Sequence, residues 1–81
     1  MKVTIESTKK TVTLMIHGKE VPARVWQGLT ESGKPVFCFI TRIALAIENA
    51  TEKQSDEFER DLFACVAPNA VVEAIPMRMI L

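Results

Sequence analysis

The sequence predicts an α+β fold: a four- to five-stranded, mainly antiparallel sheet with one amphipathic helix packed on it, forming a single domain over residues 1–81. Three observations predict it. β-Branched runs separated by glycine-containing turns fill the first half of the chain. The apolar period changes from two to about 3.6 beyond Glu48. No repeat, low-complexity stretch or linker divides the 81 residues, and 48% hydrophobic with 25% charged residues is the balance of a globular chain rather than a disordered one. A chain this short buries about 60–65% of its unfolded surface, which leaves little room for a deep pocket.

In chain order, Lys2 to Ser7 is a first strand with Val3 and Ile5 inward. Thr11 to Ile16 (TVTLMI) alternates, with Val12, Leu14 and Ile16 on one face, and His17-Gly18-Lys19-Glu20 turns the chain. Val21 to Leu29 alternates again, placing Val21, Ala23, Val25, Gln27 and Leu29 on one face and Arg24 and Trp26 on the other. Pro22 lacks an N–H, so this strand is expected to start at an edge or bulge. Glu31-Ser32-Gly33-Lys34 makes the second turn, and Val36 to about Ala46 (VFCFITRIALA) is apolar on both faces, as an interior strand covered on each side would be. A competing reading starts a helix at Thr41, because Ile43, Ala44 and Ile47 also suit helical spacing.

After a polar connection, Ser55 is the expected N-cap of a three-turn helix, with Asp56 and Glu57 in the first turn, where carboxylates meet the positive end of the helix dipole. Phe58, Leu62, Cys65 and Val66 form its apolar stripe, and Asp56, Glu57, Glu59, Arg60 and Asp61 its charged outer face. Pro68-Asn69 closes it, and Val71 to Leu81 reads as a last extended segment in which Pro76 limits pairing.

The total charge is zero but it is sorted along the chain. Residues 1–47 carry seven Lys/Arg against three Glu, a net of +4, and residues 48–81 carry three against seven acids, a net of −4. Such sorting places a basic surface on one element and an acidic one on another, each suited to a different partner. The two cysteines, Cys38 and Cys65, lie in apolar runs, unlike the dense cysteine patterns of small secreted scaffolds. No signal-like segment opens the chain and no apolar run is long enough to span a bilayer, so a soluble, cytoplasmic protein is expected.

Nothing in the sequence composes an active site. His17, the one histidine, falls in a hairpin turn without a nucleophile or an orienting carboxylate beyond Glu20. No CxxC or HxxxH spacing offers a metal site, no glycine-rich loop leads a strand into a helix, and the helix acids belong to a solvated face. No enzyme, cofactor or metal is therefore expected.

Binding is the remaining chemistry. Asp56, Glu57, Glu59 and Asp61 on the helix, or Arg24 and Trp26 on an edge strand, are the candidate protein-binding residues, Trp and Arg being prominent among interface anchors. The alternative role for Trp26 is to cover a second small core with the N-terminal strand. Lys9, Lys10, Lys19 and Lys34 on the basic hairpins are the candidate contacts of a nucleic-acid-binding module, although the neutral total and the lack of tyrosine count against one. A third reading is an assembly subunit that forms a homodimer through an edge strand. The apolar tail AIPMRMIL would be tucked into the sheet or docked on another subunit.

At VPARVWQG (Val21 to Gly28), CFITRIA (Cys38 to Ala44) and AIPMRMIL (Ala74 to Leu81) the chain resembles small uncharacterised proteins encoded by temperate tailed phages and prophages of Gram-negative bacteria. The resemblance implies a phage-type accessory protein in a bacterial cytoplasm that binds a host or phage protein and inhibits it, a host-defence component for example. It transfers no functional residue.

Overall fold

The computed structural model describes residues 1–80, with Ile80 described by its backbone alone; Leu81, the last residue of the expected extended segment, lies outside the described residues. In chain order the elements are β1 (Val3–Ile16), β2 (Lys19–Thr30), β3 (Pro35–Ile40), α1 (Glu52–Phe63), α2 (Ala70–Glu73) and β4 (Arg78–Ile80). The four strands form one sheet in the order β3-β2-β1-β4, antiparallel except where β4 runs parallel to β1. The α+β class with a mostly antiparallel sheet and one main helix is thus the observed one.

The two strands expected at residues 2–7 and 11–16 are one strand with an irregularity. Ser7 pairs with Trp26 and Thr11 with Arg24, so Thr8, Lys9 and Lys10 stand opposite Val25 alone. Buried polar groups must be bonded, and the buried Thr8 hydroxyl of this bulge is. The Thr8 hydroxyl donates to the Val25 carbonyl at 2.7 Å and accepts from the Lys10 N–H at 3.2 Å. On the outer side of β1, Lys9 N–H donates to Val66 O and Val66 N–H to Ser7 O, each at 3.0 Å.

β2 meets β1 through a two-residue turn, His17 and Gly18, both at positive φ (50° and 76°), the requirement of the type I′ hairpin turn. Further along, an added Cβ at Gly28 would lie 1.8 Å from the Thr4 carbonyl oxygen, so only glycine admits this approach of β1 to β2.

One face of the sheet carries the core. Val12 and Leu14 of β1 and Ala23 and Val25 of β2 are buried against Val72 and Ile75, flanked by Ile16, Val21, Phe39 and Met79. Val3 and Ile5 share the opposite face with Ser7, Trp26 and Cys38, and Val3 is exposed.

Several expectations are corrected. The apolar run from Val36 is neither an interior strand nor a helix beyond Thr41: β3 ends at Ile40 and lies at the edge of the sheet, and residues 41–51 are irregular. Pro22 explains the stop. Thr13, its partner on β1, sends its N–H outward to Met77 O at 2.7 Å. Thr13 and Pro22 are therefore a non-hydrogen-bonded pair, and the backbone of Pro22 faces the β3 side, where it has no N–H to continue the ladder. By the same order, β2 with Trp26 is an interior strand rather than an edge.

Next, the N-cap of α1 lies four residues before the expected one. Thr51 is the N-cap: its hydroxyl accepts from Gln54 N–H at 3.2 Å, and Gln54 Oε1 accepts from Thr51 N–H at 2.9 Å, a capping box. Ser55 donates its N–H to Thr51 O and so lies inside the first turn. The stripe is also shorter, because Cys65 and Val66 have left the helix, Val66 to bridge Thr8 of β1. Finally, Val71 to Leu81 is not one extended segment. Asn69 opens a helix instead of ending one: its Oδ1 accepts from Val72 N–H at 2.9 Å and caps α2, after which only Arg78–Ile80 joins the sheet.

Candidate functional site

Across the sheet from the core, Ser7, Trp26 and Cys38 stand in line on β1, β2 and β3, with Arg24 and Ile40 beside them. α1 faces this surface without sealing it. Phe58, Asp61 and Leu62, spaced i, i+3 and i+4 on one side of the helix, enclose with Ser7, Arg24, Trp26 and the segment Ile40–Ile43 an open groove of about 300 Å³.

Arg24 has a structural task here. Its Nη1 donates to the Thr8 carbonyl at 2.7 Å, straps the bulge of β1, and leaves the guanidinium half-buried in the groove wall. Trp26 is half-buried in the same wall, so both the second small core and the interface reading of this residue fall on one surface. Cys38 and Cys65 are free and half-buried, and Ser7 Oγ lies 3.5 Å from Cys65 Sγ.

The four helix acids do not act as one face. At 3.6 residues per turn, Asp61 turns toward the groove, Glu57 and Glu59 lie on the two flanks, and Asp56 points outward with Arg60 and Phe63. All four acids are exposed, and Phe63 is 80% exposed in their midst. Phe63 and Leu62, the latter 40% exposed, are the surface residues the sequence reading missed. The signal was present: Phe63 falls outside the i, i+4 stripe of Phe58 and Leu62, and an aromatic off the stripe of an amphipathic helix faces solvent.

The basic candidates are dispersed. Lys19 begins the twelve-residue β2 and Lys34 lies just past its far end, roughly 35 Å away at the strand rise. Lys9 and Lys10 sit between them at the bulge, and Lys10 Nζ donates to the Glu73 carbonyl at 3.4 Å. Lysines so placed form no continuous track for a phosphate backbone.

Among the described residues, no three His, Cys, Asp or Glu side chains come together as metal ligands would, and no helix is long and apolar enough to cross a membrane. His17 is exposed at the hairpin tip. No protein-family model, curated protein or solved structure matches the chain.

Proposed function

We propose that this is a non-enzymatic, phage-type accessory protein of the bacterial cytoplasm that binds a host or phage protein through α1 and inhibits it by occupying its surface, a host-defence component being the kind of target the role suits. The observation that carries the reading is Phe63, a fully presented aromatic ring ringed by Asp56, Glu59 and Arg60 on a helix with no buried residue. An exposed aromatic anchor inside a charged rim is the composition of a binding hot spot, and the acidic surround selects a partner with a basic rim around an apolar pocket. Arg24 and Trp26 contribute by holding the groove wall against which α1 rests. The groove is shallow and open, which suits a macromolecular contact better than enclosure of a reacting substrate.

The test is affinity capture from bacterial lysate with and without nuclease. It uses the wild-type protein, a Phe63→Ala variant, and a variant with Glu57, Glu59 and Asp61 changed to Lys. The expected outcome is a nuclease-resistant protein partner retained by the wild type and lost by both variants. Recovery of nucleic acid alone, unaffected by either change and lost when Lys9, Lys10, Lys19 and Lys34 are reversed, would replace this reading with the nucleic-acid-binding module.

A further inference from the structure

We propose that β3 is a self-complementary edge, and that a second copy of this chain pairs with it antiparallel, in a register centred on Cys38, to make a continuous eight-stranded sheet across a two-fold axis. The inference does not rest on the α1 reading, since it uses the backbone edge of β3 and not the exposed side chains of α1.

Three observations converge on it. First, β3 is an edge without the usual protection. It is Pro35-Val36-Phe37-Cys38-Phe39-Ile40, with no charge and no bulge, and no other strand or loop hydrogen-bonds to its outer side among the described residues. Natural edges are blunted with lysine, proline or a bulge, and here only Pro35, at the first position, does so. β1, by contrast, has its outer side covered by Val66, Met77 and β4.

Second, the backbone alternation fixes which groups are free. Thr30 N–H bonds Lys34 O within the β2–β3 turn, and Val25 O receives the Thr8 hydroxyl on the β1 side. Even-numbered residues of β2 therefore face β3, and their partners Val36, Cys38 and Ile40 are bonded inward. Phe37 and Phe39 are left with their N–H and C=O groups directed outward.

Third, the sequence is symmetric about its centre. Val-Phe-Cys-Phe-Ile places a β-branched residue, then Phe, on each side of Cys38. An antiparallel copy in this register sets Phe37 opposite the second copy's Phe39 as a hydrogen-bonded pair, twice by symmetry, so every free N–H and C=O of the two phenylalanines is paired. Cys38 meets its own counterpart as a non-hydrogen-bonded pair, and Val36 meets Ile40. Such isologous self-matching is what a two-fold interface requires.

The side chains follow. Phe37 is 42% exposed and already meets Phe39 edge-to-face at 5.6 Å, so pairing extends two rings into a cluster of four on the core face. Lys34 and Arg42 would come opposite one another only beyond the paired segment, where the turn at Gly33 and the bend at Thr41 lead the chain away. A six-residue edge pairing buries less than the roughly 1,200 Å² of a standard stable interface. The association is accordingly concentration-dependent rather than permanent.

Sedimentation velocity over a wide concentration range, on the full chain, reads the oligomeric state. Phe37→Lys, at an exposed side chain, is the disrupting variant, with its fold checked by circular dichroism. In a Cys65→Ser background, mild oxidation by molecular oxygen with a copper catalyst reads the register. Two Cys38 thiols lose two protons and two electrons to the oxidant and form one disulfide, which Cα atoms about 4.5 Å apart in a non-hydrogen-bonded pair permit. The expected result is a dimer that grows with concentration, is lost in folded Phe37→Lys, and is trapped covalently through Cys38. A monomer at all concentrations, a dimer that survives Phe37→Lys, or a dimer that Cys38 does not cross-link would each overturn the proposal.

Discussion

α1 and α2 invert the usual relation between helix length and burial. α1 has twelve residues and buries none of them, whereas α2 has four and places Val72, 1% exposed, at the centre of the core. A four-residue helix has no stability of its own in water, so α2 exists because Val72 and Ile75 are drawn onto Val12, Leu14, Ala23 and Val25. α1 is held largely by its ends: the Thr51–Gln54 capping box, Glu52 in the first turn and Arg60 in the last, where charges of those signs oppose the helix dipole. The shorter helix is a product of the core and the longer one is laid over a finished sheet. A protein that must present a surface while keeping its core gains from this separation, because α1 can vary without disturbing what folds the chain.

The separation is open to attack at three points. The largest effect is expected at Val72→Ala, which removes two buried methyl groups and should cost about 2–3 kcal/mol from lost transfer energy and the residual cavity. A lowered urea midpoint with loss of the whole sheet signal would confirm that α2 belongs to the cooperative core. Thr51→Ala removes the cap and should cost about 1 kcal/mol of helix stability. Hydrogen exchange should then quicken along 52–63 while amides of β1 and β2 keep their protection, and equal quickening in both would show that α1 is coupled to the core after all. The smallest effect belongs to Leu62→Ala, a larger truncation than Val72→Ala at a side chain 40% exposed in the groove, which should cost under about 1 kcal/mol. A greater loss at Leu62 than at Val72 would reverse the comparison.

How far the sequence anticipated this arrangement depends on whether local chemistry or long-range placement decided each part. The hairpin at His17-Gly18, the alternation of β2 and the acidic helix were legible, because positive-φ turns and periodic faces are local properties. The cap is local chemistry as well: Ser55 suits a cap by residue type, but Thr51-Glu52-Lys53-Gln54 carries the reciprocal pattern, and the pair of bonds it makes decides the start of the helix. Position in the sheet was not legible. The run Val36–Ile40 is apolar on both faces because Phe39 packs against the core on one and Ile40 lines the α1 groove on the other, and that composition is the same for an interior strand and for an edge. α2 was hidden for a related reason: Val71-Val72 reads as strand by propensity, and tertiary packing together with the Asn69 cap overrides it. Of the candidate site, the acids and Trp26 were found from residue type alone, and Phe63 required knowing where the stripe of α1 points.

The bulge in β1 also divides the strand into two lengths whose registers are set independently. Three residues stand where β2 has one, and the even-numbered side chains of 3–7 and 11–16 still share one face of the sheet. The turn at His17-Gly18 fixes 11–16 against 19–24, so Val12 and Leu14 keep their places in the core whatever number of residues the bulge holds. The segment Thr8-Lys9-Lys10 is thus a buffer of length within the sheet, a property of the chain that no individual contact expresses.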